Sequence, residues 1–202
     1  MTDKDVETVL KLLEQVSLGE LEDIFDTCTA WIPQKCPSSQ ENAIIVIRSS
    51  LLVAQCLKER LHRVALLYSG LVPTGVIRAW TLYRVNLPAK QIDQFAFIRQ
   101  LSKKMNCGDF QDTTGFTGSL PFVCCSVLLS DDESATVEHN LVCFYMWYGR
   151  AFLAVHASGA TARNKTLREA LATVHVDPDK CLHGHYDELS AAQAEVLQSS
   201  VA

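Results

Sequence analysis

Leu141-Val142-Cys143-Phe144-Tyr145-Met146-Trp147-Tyr148, then Gly149-Arg150, then Ala151-Phe152-Leu153-Ala154-Val155-His156-Ala157, is the stretch whose reading decides the fold. Two short apolar runs rich in aromatic and branched residues suit a pleated, packed surface, and a Gly-containing pair between them marks a tight turn. A third run of the same kind, Leu120 to Leu129, lies just upstream. These three runs predict strands at 120–129, 141–148 and 151–157, the last two as a hairpin. Asn106 to Ser119 before them is rich in Gly and Thr and reads as a loop.

Further upstream the period becomes helical. Val6, Val9, Leu10, Leu13 and Val16 recur at helical spacing, and Leu21, Ile24, Phe25 and Cys28 resume after a slip near Gly19, which predicts one helix kinked there. Trp31 to Ser39 carries two prolines and reads as a loop. Ser38 with Glu41 has capping-box spacing, so a central, largely buried helix is expected from Gln40 to Leu61. Val64 to Ser69 and Gly75 to Val85, joined by Pro73-Thr74-Gly75, predict a β-hairpin. After Pro88 a third main helix is expected over 89–105. Ile92, Phe95, Ile98, Leu101 and Met105 form its apolar side, Asp93, Gln100, Lys103 and Lys104 its polar side, and Phe97 lies beside the polar group. Residues 158–202 show weak helical patterning at Leu167, Leu171 and Val174 and at Leu189, Val196 and Leu197. The expectation is a single domain over 1–202 of the α+β class, with three main helices on one face of a mainly antiparallel sheet and a C-terminal segment at 158–202.

Composition excludes several functions. The 202 residues are 48% hydrophobic, enough for one domain core, and the net charge of −5 offers no basic run to neutralise a series of phosphates. Nucleic acid is therefore not an expected partner. The longest apolar run, Asn42 to Leu57, is broken by Arg48, Ser49, Ser50 and Gln55, so no membrane partner is expected. The first residues lack the basic-then-apolar order of a secretory signal, which predicts a reducing compartment where thiols stay free. Cys56, Cys124, Cys125 and Cys143 lie in apolar runs and are expected to be buried.

Two constellations carry possible chemistry. Asn106-Cys107-Gly108-Asp109 after a helix, with His62 upstream, has the residue types of a papain-like hydrolase, in which the imidazole deprotonates the thiol. No third group declares itself to orient the ring. Cys181-Leu182-His183-Gly184-His185, with His175 nearby, contains zinc-compatible ligands but no Cys-x-x-Cys partner. Exposed histidines are the expected account, and no cofactor or metal is expected.

Three stretches resemble the HORMA family. Cys56-Leu57-Lys58-Glu59-Arg60-Leu61-His62-Arg63-Val64-Ala65-Leu66-Leu67-Tyr68-Ser69 followed by Val76-Ile77-Arg78-Ala79-Trp80-Thr81-Leu82-Tyr83 is similar to that family's central helix running into its first hairpin. Ile98-Arg99-Gln100-Leu101 is similar to its third helix. Phe122 to Leu129 followed by Ser130-Asp131-Asp132-Glu133 is similar to its edge strand and acidic turn. The resemblance spans 43–157. It implies a non-enzymatic adaptor in spindle-checkpoint, meiotic or repair signalling, in the nucleus and cytoplasm and at chromosomes. Its partners would be another HORMA protein, an extended peptide, or a ring-shaped remodelling ATPase. The peptide would pair with the edge strand, read by Phe122, Val123, Cys125 and Val127, and be held by a C-terminal β safety belt. Phe97, Arg99, Gln100 and Lys104 would form the third-helix interface.

Overall fold

Trp80–Arg84 (β1), Gln111–Thr117 (β2), Leu120–Leu129 (β3), Asn140–Trp147 (β4), Phe152–Ala157 (β5) and Leu182–Tyr186 (β6) form one antiparallel sheet in the order β2-β3-β4-β5-β1-β6. The computed structural model describes residues 3–28, 30–32, 35–105, 111–117, 120–129, 140–158 and 161–199. The expected hairpin is present as β4 and β5, with Tyr145 opposite Ala154 and Phe144 opposite Val155.

The helices are Asp3–Leu13 (α1), Leu18–Thr27 (α2), Gln40–Leu52 (α3), Leu57–Leu71 (α4), Gln94–Lys104 (α5), Thr161–Thr173 (α6) and Leu189–Gln198 (α7). They cover both faces of the sheet, which corrects the expectation of three helices on one face. Along β4, Leu141, Cys143, Tyr145 and Trp147 join the core shared with α1–α4 and α7, whereas Val142, Phe144 and Met146 join a second core with α5 and α6. The physical reason is in the strand itself. All seven side chains from Leu141 to Trp147 are apolar, and a strand apolar at every position needs a cover on each side. The α+β class and the antiparallel sheet stand.

The helix boundaries follow local capping. The single kinked helix is two helices, because Ser17 closes a capping box with Glu20: its backbone N–H donates to Glu20 Oε2 at 2.6 Å, and its Oγ accepts the Glu20 amide at 3.3 Å. At α3 the cap is Ser39, whose Oγ accepts the Asn42 amide, and not Ser38. The long central helix is also two. Cys56 caps α4 by accepting the Glu59 amide, and is exposed there, which corrects its expected burial. The stretch from Val64 to Ser69 is helical and not a strand. Val64, Ala65, Leu67, Tyr68 and Leu71 are buried at helical spacing, and α4 is the helix that lies against β3 and β2. Freed from that hairpin, β1 pairs with β5 and β6.

Candidate partner-binding surfaces

Helix α5 begins where Asp93 Oδ1 accepts the Ala96 amide at 3.0 Å. Ile98 and Leu101 are fully buried and pin the helix against β3 and β4, and Ser102 Oγ donates to the Ile98 carbonyl while lying 3.0 Å from Cys125 Sγ. Its solvent face carries Phe95, 37% exposed, with the Arg99 guanidinium 5.7 Å from the ring centroid. A cation at that distance over an aromatic face is attracted by the ring quadrupole and holds the ring in place. Lys103 follows on the same side and Lys104 is exposed on the opposite flank, and neither has an ion-pair partner among the described residues.

The four expected interface residues on this helix therefore divide. Arg99 and Lys104 are exposed. Gln100 is exposed but holds α6, donating from Nε2 to the Thr173 carbonyl at 3.0 Å. Phe97 is half-buried against the core beneath α5, and Phe95 is the aromatic that reaches solvent. Phe95, expected on the apolar side, instead reaches solvent, because Gln94, Ile98, Leu101 and Ser102 set the inward face; Phe97, expected exposed or half-exposed, is half-buried.

The edge-strand expectation for Leu120–Leu129 is overturned. β3 is paired on both sides, with β2 (Val123 opposite Thr114) and β4 (Val123 opposite Met146), so it has no free main-chain edge for a peptide. Phe122, Val123, Cys125 and Val127 are buried, Phe122 facing the α4 side and the other three the α5 side. The missed element is β2, within the stretch read as a loop. Its Gly and Thr content hid it, and pairing with β3 is what makes it a strand.

Among the described residues, the edge strands of the sheet are β2 and β6. β6 pairs with β1 on one side only, with Thr81 opposite His185 and a register shift between Leu82 and Tyr83. Leu182 on it is 45% exposed. A cleft of about 270 Å³ lies beside this strand, lined by Ala79, Trp80, Thr81, His185, Tyr186 and Asp187. Its corner is fixed by Ala79, in the left-handed region at φ 64°, whose amide donates to the Asp187 carbonyl at 2.9 Å. Arg78 bridges to Asp187 at 3.2 Å and also to Glu188, whose carboxyl it holds below the usual range.

Neither candidate chemistry is assembled among the described residues. Cys107 lies outside the described residues, as does the acidic turn at Asp131-Asp132-Glu133, and His62 lies within helix α4. Among the described residues, no group of three His, Cys, Asp or Glu side chains comes together to hold a metal. Two histidines of the C-terminal segment are engaged elsewhere: His183 Nε2 meets Glu195 Oε1 at 3.1 Å, and His185 Nδ1 meets Thr81 Oγ1 at 3.1 Å. Among the described residues, no helix is long and apolar enough to cross a membrane. No protein-family model matches the chain, and no curated protein matches it closely enough to count as a relative.

Proposed function

We propose that this chain is a non-catalytic protein-interaction adaptor, HORMA-like in docking partners on its third-helix surface, α5, and in using a C-terminal β segment, β6, at a sheet edge. The observation that carries the reading is the solvent-facing stack of Arg99 on Phe95, continued along the helix by Lys103. A half-exposed aromatic fixed by a guanidinium is the kind of anchor that dominates interfaces. Strand addition belongs at β6, the edge strand beside the cleft lined by Ala79 and His185. There an extended peptide would gain main-chain hydrogen bonds, and the cleft at Ala79 and His185 would accept one of its side chains. A second HORMA protein is the partner suited to α5, an extended peptide the one suited to β6, and a remodelling ATPase would act on the assembled pair. The setting is spindle-checkpoint, meiotic or repair signalling, in the nucleus and cytoplasm.

The test is recovery of bound proteins from dividing cells by tagged wild type, Phe95→Ala and Arg99→Glu, with circular dichroism to confirm folding. Recovery of a specific partner should fall about tenfold or more for each variant. Equal recovery by all three removes α5 from the proposal.

A further inference from the structure

Charge is segregated along this chain. Residues 1–42 contain nine Asp or Glu and three Lys or Arg, a balance of −6, so the remaining residues sum to +1 against the total of −5. This acidic part builds α1, α2 and the start of α3, on the side of the sheet away from the Arg99 and Lys103 face of α5. Between the end of α1 and the first turns of α3 lies a groove of about 340 Å³, lined by Glu14, Gln40, Glu41, Ile44, Ile45 and Arg48.

The groove is rigid at its ends and apolar on its floor. Gln40 Nε2 donates to the Glu14 and Val16 carbonyls at 3.0 and 2.9 Å, tying the start of α3 to the end of α1. Arg48 is held by both carboxylate oxygens of Glu7. Ile44 packs on the core, whereas Ile45 is 51% exposed. Leu52 and Val53, at 52% and 70% exposed, continue the apolar line at the far end of α3. Glu14 and Glu41 are exposed and have no ion-pair partner among the described residues. Branched apolar side chains left in water on an ordered helix, bordered by two unpaired carboxylates, form a surface whose complement is apolar at the centre and cationic at the rim.

We propose that this groove docks a short basic segment of a partner protein, with one large apolar side chain seated on Ile44 and Ile45 and lysine or arginine side chains on Glu14 and Glu41. It is a third interface, independent of α5 and β6. The arginine already in the groove does not fill this role, since Glu7 satisfies it on both nitrogens.

The experiment uses the full chain and fluorescein-labelled peptides read by anisotropy. One peptide alternates arginine with leucine, one has serine in place of leucine, and one has glutamate in place of arginine. The arginine–leucine peptide should bind. Glu14→Lys with Glu41→Lys, and separately Ile45→Asp, should weaken it about tenfold or more, while the charge-matched Glu22→Lys with Asp23→Lys on α2 leaves it within about twofold. Comparable loss in the α2 control, or equal binding of the arginine–serine peptide, shows general attraction to an acidic surface and overturns the proposal. So does absence of binding. Sedimentation of the chain alone tests the remaining occupant: self-association abolished by Glu14→Lys with Glu41→Lys assigns the groove to a second copy and also overturns it. All substituted positions are exposed, and circular dichroism establishes that each variant is folded.

Discussion

At the scale of single residues, burial sorts the side chains that bear chemistry. His156 on β5 packs against Trp80, with ring centroids 5.8 Å apart, and its Nδ1 lies 2.7 Å from the Arg78 carbonyl. A carbonyl only accepts, so Nδ1 carries the proton and donates. Burial pushes the pKa of His156 down, and the bonds to the Arg78 and Ala79 carbonyls only partly oppose it. The unfolded chain therefore binds more protons than the folded one below about pH 6.5, and stability falls as pH drops through that value. Thermal melts from about pH 7 to pH 5 should show this slope in wild type and a shallower one in His156→Phe. Identical slopes would mean that His156 titrates alike in both states. The cysteines divide in the same way. Burial raises the thiols of Cys28 and Cys143 to about 12, whereas Cys56 is exposed at the start of α4. Maleimide treatment of the native protein at about pH 7.5, followed by peptide mass mapping, should modify Cys56 and spare Cys28 and Cys143 until denaturant is added. Early modification of Cys143 would contradict the sealed interior of β4.

At the scale of elements, α4 organises the larger core, and its crossing with α2 is set by Gly70. A Cβ placed there would meet Ile24 Cγ1 at 2.9 Å, and Ile24 is itself 1% exposed and hemmed in by the core. Replacing a helical glycine by alanine ordinarily gains up to about 1 kcal/mol. Overpacking a buried contact costs about 1–3 kcal/mol, so the steric cost wins. Gly70→Ala should be destabilising in urea titrations, and combining it with Ile24→Ala should cost less than the sum of the two. A stabilised Gly70→Ala would show that the helices separate freely. The strands β3, β4 and β5 were legible from residue type, since an apolar run that alternates with nothing polar can only be an interior strand or a buried helix, and the turn at Gly149-Arg150 decides for strands. The helix–hairpin boundary at Val64 was not legible. Val64, Ala65, Leu66, Leu67 and Tyr68 satisfy both a short strand and a buried helical face, and only contact with β3 and β2 chooses between them.

At the scale of the molecule, the C-terminal segment is structural. Leu167, Ala170, Leu171, Val174 and Val176 cover the α5 side of the sheet, and Leu189, Ala192 and Val196 complete the α4 side. Each large side chain among them contributes about 1.5–3 kcal/mol by burial, against a typical total stability of about 5–15 kcal/mol. A chain ending at Ala157 should lose its cooperative thermal transition by near-ultraviolet circular dichroism. A sharp transition in that truncation would make the segment a detachable belt. Local patterning sufficed for the α+β class, the β4–β5 hairpin, and the exposed cations Arg99 and Lys104, because side-chain periodicity and charge are properties of neighbouring residues. Which strand lies at an edge, which of Phe95 and Phe97 faces water, and how Glu14 and Glu41 come to rim one groove were decided only by tertiary structure. Those outcomes depend on pairing and packing between residues distant in the chain: β2 closes the edge of β3, α6 covers the flank of α5, and Gln40 draws α3 onto the end of α1.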